Sequence, residues 1–127
     1  MIESLDHLVL TTTDEARCIE FYVSLLGMRL ETFAGGRKAL AFGRQKINIH
    51  VKGREFAPRA HLPVPGALDL CFLADRPLDL VMDRLRENGV EIVEGPVPRT
   101  GACGPLRSVY IRDPDLNLIE ISELFQP

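Results

Sequence analysis

One short unit occurs twice along this chain, and the duplication constrains the fold more than any other feature of the sequence. Asp6-His7-Leu8-Val9-Leu10 and Leu68-Asp69-Leu70-Cys71-Phe72 both read as short buried strands followed by an amphipathic helix. In the first helix Thr13 and Asp14 offer N-caps, and Cys18, Ile19, Tyr22, Leu25 and Leu26 recur at helical spacing until Gly27 stops it. In the second, Asp75 offers the cap, Pro77 sits in the first turn, and Leu78, Val81, Met82 and Leu85 mark one face until Gly89. His7 to Gly27 and Asp69 to Gly89 span the same number of positions. After each glycine a strand is predicted, over 28–33 and 90–93. Two more follow in each half, 39–42 and 46–51 across the turn 43–45, then 108–111 and 118–121 across the turn 113–117. Each half therefore reads strand, helix, three strands, an α+β class built of two tandem βαβββ modules. One domain over 1–127 is expected, with module 1 at about 4–52, a connector at 53–66 carrying Pro58, Pro63, Pro65 and Gly66, and module 2 at about 67–123. The stretch Gly95 to Pro105, with Pro96, Pro98, Gly101 and Gly104, is expected to be a long functional loop.

Composition narrows the function classes. At 127 residues, 46% hydrophobic and 26% charged, the chain has enough apolar residues for one core and none of the bias of a disordered segment. Its net charge of -3, without a basic run, gives nucleic acid nothing to hold. No apolar stretch approaches the roughly 20 residues a bilayer needs, and the N-terminus lacks the pattern of a signal peptide, so no membrane and a cytoplasmic location are expected. Cys18, Cys71 and Cys103 form no CxxC pair, so neither a disulfide framework nor a zinc finger is indicated.

A four-stranded sheet of about fifty residues cannot close on itself, so the two units are expected to pair their sheets around a shared concave surface. Strand parity then puts His7, Val9 and Thr11 on one face, and Asp69, Cys71 and Leu73 on the counterpart face. Asn48 and His50 share a face of the last strand of the first half, and Leu118, Glu120 and Ser122 of the second. Superposing the halves is expected to place His7 opposite Asp69 and His50 opposite Glu120. Buried carboxylates beside imidazoles are explained by a divalent cation, here iron, manganese, nickel, cobalt or zinc, with His7, His50, Asp69 and Glu120 as its ligands. Cys71 on the same face reads as a small buried hydrophobe, Cys18 as helix core, Cys103 as an accessible loop thiol and His61 as a surface residue. Arg99, Thr100, Arg107 and Tyr110, on or beside the long loop, are expected to grip an anionic or carbonyl-bearing substrate.

The twice-repeated unit, with Asp6-His7-Leu8-Val9-Leu10, Phe21-Tyr22 before Leu26-Gly27-Met28, and Arg112-Asp113-Pro114-Asp115 before Asn117-Leu118-Ile119-Glu120, resembles the vicinal oxygen chelate superfamily. That superfamily includes glyoxalase I, extradiol dioxygenases and bleomycin-resistance proteins. Arg37-Lys38-Ala39-Leu40, Gln45 to His50, Gly53-Arg54-Glu55-Phe56 and Gly95 to Gly101 resemble its small glyoxalase-domain protein five group. The resemblance implies a glyoxalase-like incomplete barrel around a central cleft, and it carries the metal positions onto His7, His50, Asp69 and Glu120. His50 and Asp69 depart from the residue types many members place there, and Leu116 replaces the usual glycine of the last turn.

The shared chemistry implied is chelation of substrate oxygens by the metal, which stabilises a developing oxyanion, with Glu120 or Asp69 serving as the base. The resemblance thus implies a metal-dependent lyase or isomerase of the glyoxalase type on a small oxygen-rich substrate. The alternatives are a ring-cleaving extradiol-type dioxygenase and a metal-free protein that sequesters a small toxic molecule, as bleomycin-resistance members do. A homodimer is implied as well, because the units can pair within one chain or swap between two.

Overall fold

Asp14 begins the first helix as its sequence predicts: its carboxylate accepts the Arg17 N–H at 3.1 Å, filling one of the donors a helix start leaves bare. The computed structural model describes residues 1–125, which divide into two compact units, Met1–Ala67 and a second beginning at Leu68. The first contains β1 (His7–Thr12), α1 (Glu15–Ile19) running into a π-helical segment Glu20–Leu25, β2 (Arg29–Phe33), β3 (Arg37–Phe42) and β4 (Gln45–Val51). The π-helical turns are not readable from apolar spacing, since Cys18 and Tyr22 are buried as the expected helix would bury them. Gly27, at φ 79°, ends the segment in the left-handed conformation that costs a side chain most.

The sheet of this unit runs β1-β4-β3-β2, with β1 parallel to β4 and the other pairs antiparallel. Lys38 on β3 reaches Glu15 of α1 at 2.9 Å, which identifies the helix side of the sheet. Leu10, Leu40, Ile47 and Ile49 share that side by register and are buried, while His7, Ala39, Lys46, Asn48 and His50 point the other way.

The second unit repeats the plan with β5 (Asp69–Leu73), α2 (Leu78–Glu87), β6 (Glu94–Gly101), β7 (Gly104–Arg112) and β8 (Leu118–Leu124), in the order β5-β8-β7-β6. Here the helix is tied from the sheet. Glu123 of β8 accepts the Leu78 N–H at 2.9 Å, so it caps the helix in place of the expected Asp75, which instead pairs with Arg76. Arg107 of β7 donates to both Asp79 and Glu123 at 3.1 Å. Leu78, Met82 and Leu85 of α2 are buried, as are Val109, Ile111, Ile119 and Ile121 on the sheet. No helix among the described residues is long and apolar enough to cross a membrane.

Two expectations are corrected in this unit. Residues 90–93 form no strand, and the stretch read as a long functional loop is mostly β6, joined to β7 by a tight turn. Prolines are tolerated here because β6 is an edge strand, where Pro96 and Pro98 withhold no ladder hydrogen bond from a second neighbour. A bulge between Glu94 and Val97 interrupts the pairing, and a Cβ on Gly95 there would lie 2.5 Å from the Ser108 carbonyl oxygen. The turn before β8 is held by Asp113, whose Oδ1 accepts the Asp115 and Asn117 N–H groups at 2.9 Å and whose Oδ2 accepts the Asn117 side chain at 2.7 Å. Asn117 in turn accepts the Leu68 N–H, fixing the start of β5.

Candidate functional site

The parallel ladders decide which residues correspond between the two units. His7 pairs with Lys46 and Val9 with Asn48; Asp69 pairs with Leu118 and Cys71 with Glu120. His7 therefore corresponds to Asp69, as expected, but the counterpart of Glu120 is Asn48, and the counterpart of His50 is Ser122. The expected placement of His50 opposite Glu120 is corrected by one pair step, a slip that sequence parity cannot detect because it moves a residue by two and keeps its face. The same register puts His7 and His50 four residues apart along their ladder, about 13 Å at ~3.3 Å per residue, a wide span for two ligands of one ion.

In the second unit the face away from α2 carries Asp69, Cys71, Ser108, Tyr110, Glu120 and Ser122. Cys71, Ser108, Ser122 and Glu120 among them satisfy one another. The Ser108 and Ser122 hydroxyls lie 2.6 Å apart, the Cys71 thiol is 3.3 Å from Ser122, and Ser122 donates to Glu120 Oε2 at 3.3 Å. Arg99 Nε donates to the Tyr110 hydroxyl at 2.8 Å, and a terminal nitrogen of the same guanidinium reaches Glu94 at 3.3 Å. Burial, reinforced by the nearby Glu120, pushes the Tyr110 phenol above its ordinary range, so it stays protonated and available as a donor. Burial also raises the Cys71 thiol, a weak nucleophile therefore, although the residue is exposed and not the buried hydrophobe expected. Of the four residues expected to grip substrate, Arg99 and Tyr110 share the face of Glu120. Thr100 and Arg107 do not: the pairing Pro98 with Arg107 puts their parity on the α2 side, where Arg107 is occupied by Asp79 and Glu123.

In the first unit the face away from α1 carries a different set. His50 is 3% and Asn48 7% exposed, and His50 Nε2 and Asn48 Oδ1 have no hydrogen-bond partner among the described residues. Burial, aided by the Arg37 charge and opposed by Glu55, lowers the His50 pKa, so its imidazole is neutral near pH 7. Phe56 of the connector packs edge-on against that imidazole at 5.6 Å and under the Arg37 guanidinium at 4.5 Å. His7 is exposed at the start of β1, with Nδ1 bound to Asp6 at 2.8 Å. His61 and Cys103 are exposed and Cys18 is buried, as expected.

The model of the Glyoxalase/Bleomycin resistance protein/Dioxygenase superfamily matches residues 4–121 of this chain. The chain belongs to that superfamily. Glyoxalase domain-containing protein RDO1 of Mycosarcoma maydis is 54% identical over 95% of the chain and 68% of its own length. Virulence protein STM3117 of Salmonella typhimurium is 52% identical over 97% of the chain and 85% of its own length. Its crystal structure superposes with a TM-score of 0.96, covering 98% of this chain and 99% of that one. A lactoylglutathione lyase from Agrobacterium tumefaciens, 23% identical over 97% and 95% of the two chains, shares the fold at a TM-score of 0.74.

Many members of this superfamily use a divalent metal, so the fit of these residues to one matters. Among the described residues, no three His, Cys, Asp or Glu side chains gather as a metal site. Individual donors nevertheless suit a cation. Asp6 holds the His7 ring through Nδ1 and leaves Nε2 as the presented nitrogen, the way a carboxylate orients a metal-binding imidazole. Glu120 has one oxygen steadied by Ser122, and Asp69 is exposed at the start of β5. Imidazole and carboxylate are each donors that iron(II), manganese, cobalt, nickel or zinc accepts.

Proposed function

We propose that this protein is a divalent-metal-dependent lyase or isomerase of the glyoxalase type acting on a small oxygen-rich substrate, with His7, Asp69 and Glu120 as metal donors. The observation that supports it most is the Asp6–His7 pair, which engages Nδ1 of an exposed imidazole and leaves Nε2 out of that bond, at the position corresponding to Asp69. A bound cation would polarise substrate oxygens and acidify the neighbouring C–H. The chain's own residues supply the rest. Glu120, steadied by Ser122, takes the proton, or Asp69 does so in its place. Tyr110, its oxygen already accepting from Arg99, turns its O–H toward a substrate oxygen. His50, one pair step beyond the position of Glu120, is left out of the metal set.

A metal-free protein that sequesters a small molecule is the competing reading, favoured by the buried His50 and Asn48, which an organic ligand satisfies without a cation. A ring-cleaving dioxygenase ranks below both, because Asp69 stands where those enzymes are expected to use a second histidine. Metal analysis of untagged protein separates the first two. Close to one equivalent, lost in His7→Ala and Glu120→Gln with the fold intact, supports the enzyme; less than about a tenth of an equivalent, with no recovery on reconstitution, overturns it. Turnover of 2-oxoaldehyde thiol adducts against catechols then separates lyase from dioxygenase. A homodimer and a cytoplasmic location are proposed on family grounds, with sedimentation equilibrium and cell fractionation as their tests.

A further inference from the structure

The helix-free face of the first unit holds two kinds of group with opposite needs. Arg37 and Lys46 approach one aromatic ring, Phe33, at 5.3 Å and 4.0 Å from its centroid, and Arg37 also lies over Phe56. Both cations are half-buried, and neither has an ion-pair partner among the described residues. Glu31 shares this face by register but pairs with neither, and Glu55 is turned to the Gly53 N–H. Beside the cations lie the two buried polar atoms without partners. Ala39 pairs with Asn48, so continuing the same antiparallel ladder sets Arg37 beside His50, and Lys46, Asn48 and His50 follow one another along one face of β4.

We propose that this face binds a small hydroxycarboxylic acid, its carboxylate on Arg37 and Lys46 and its hydroxyl on Asn48 Oδ1 and His50 Nε2. A carboxylate alone satisfies the cations and leaves Asn48 Oδ1 without a donor, because an ionised carboxylate only accepts. A neutral alcohol satisfies Asn48 and leaves two cations unpaired in partial burial, where an anion is worth most. A hydroxycarboxylate meets both needs. Its hydroxyl donates to Asn48 while a lone pair or the same proton serves His50, so the assignment holds for either imidazole tautomer. Phe33 and Phe56 supply apolar walls for the carbon skeleton.

The inference rests on the proposed function only in taking the helix-free face as the ligand face; it needs no metal. Calorimetric titrations in excess chelator test it, with lactate, malate and mandelate as probes, phenylacetate as the analogue lacking the hydroxyl and methyl mandelate as the analogue lacking the charge. We expect at least one hydroxy acid to bind, mandelate to exceed both analogues by about tenfold, and Arg37→Gln and Lys46→Gln each to weaken it about fivefold or more. Asn48→Ala should level mandelate with phenylacetate, and the surface variant His61→Gln should change nothing. No binding of any hydroxy acid at 10 mM (roughly the millimolar limit of useful affinity), equal binding of mandelate and its analogues, or full binding by folded Arg37→Gln overturns the proposal. A protein that binds hydroxy acids in chelator yet takes up no metal on reconstitution in chelator-free buffer contradicts the metal reading alone, and one metal equivalent without hydroxy acid binding contradicts this inference alone.

Discussion

In the second unit Cys71, Ser108, Ser122 and Glu120 on the helix-free face satisfy one another, whereas in the first unit the counterparts of Glu120 and Ser122 do not. Ser122 meets Cys71, Ser108 and Glu120, while His50, at the corresponding step of the other ladder, has an Nε2 with no partner. Glu120 is steadied by a hydroxyl, while its counterpart Asn48 keeps a bare carbonyl oxygen. The backbone makes the same pairing demands of both sheets, and it leaves the side chains on the free face unconstrained. A duplicated ladder thus lets one copy close its polar network internally and the other leave its groups for a ligand.

The turns before the last strands offer the harshest test of that contrast. In the second unit Asp113 gathers three hydrogen bonds, whereas the first unit turns on Gly43 at φ 50°. Asp113→Ala should cost about 3 kcal/mol in urea unfolding, by stranding buried donors. Gly43→Ala should cost only about 1 kcal/mol, the penalty of a left-handed alanine. Equal losses would mean that the two turns are not built differently.

Substitutions on the faces themselves should differ in sign or size. Ser122→Ala should destabilise by roughly 1–2 kcal/mol because three partners lose a bond, while Asn48→Leu should be close to neutral or stabilising, since it removes an acceptor that is already unpaired. Chemical unfolding that gave Asn48→Leu the larger loss would show that Asn48 is satisfied in solution. Leu116, exposed at φ 70° in the second unit's turn, should gain about 1 kcal/mol on Leu116→Gly, read as a rise in Tm; a fall would remove the strain from the account.

The smallest effect separates the units by pH. Burial holds the His50 pKa below 6.5, so the unfolded chain takes up a proton before the folded one does as pH falls. Its contribution is intact above about pH 6.5 and is lost on acidification below it. Melting at pH 7.5 and 5.5 should show a shallower drop in His50→Gln than in the parent, and parallel drops would deny the shift.

Much of the architecture is legible in the sequence, because Gly27, Gly89, the Asp14 cap and the apolar spacing of α2 follow local rules that the structure keeps. β6 is hidden because Pro96 and Pro98 argue against a strand unless the strand is known to lie at an edge, and edge position is a property of the whole sheet. Parity likewise separates the two faces correctly on β1, β4, β5 and β8, yet register decides which residues stand level. That is why His50 is misplaced against Glu120 and why Thr100 and Arg107, grouped with Tyr110 by nearness in sequence, belong on the other side. Arg37, Lys46, Ser108 and Ser122 escape a reading that looks for metal donors, since none of them is one.

The division of labour between His7 and His50 is the central claim, and the imidazole nitrogens report on it directly. With His7, His50 and His61 the only histidines, a long-range proton–nitrogen NMR spectrum resolves each ring, and stepwise addition of zinc shows which nitrogen binds. His7 Nε2 should shift in proportion to bound zinc while both His50 nitrogens stay in place. A shift at His50 with His7 unmoved would contradict that division of labour.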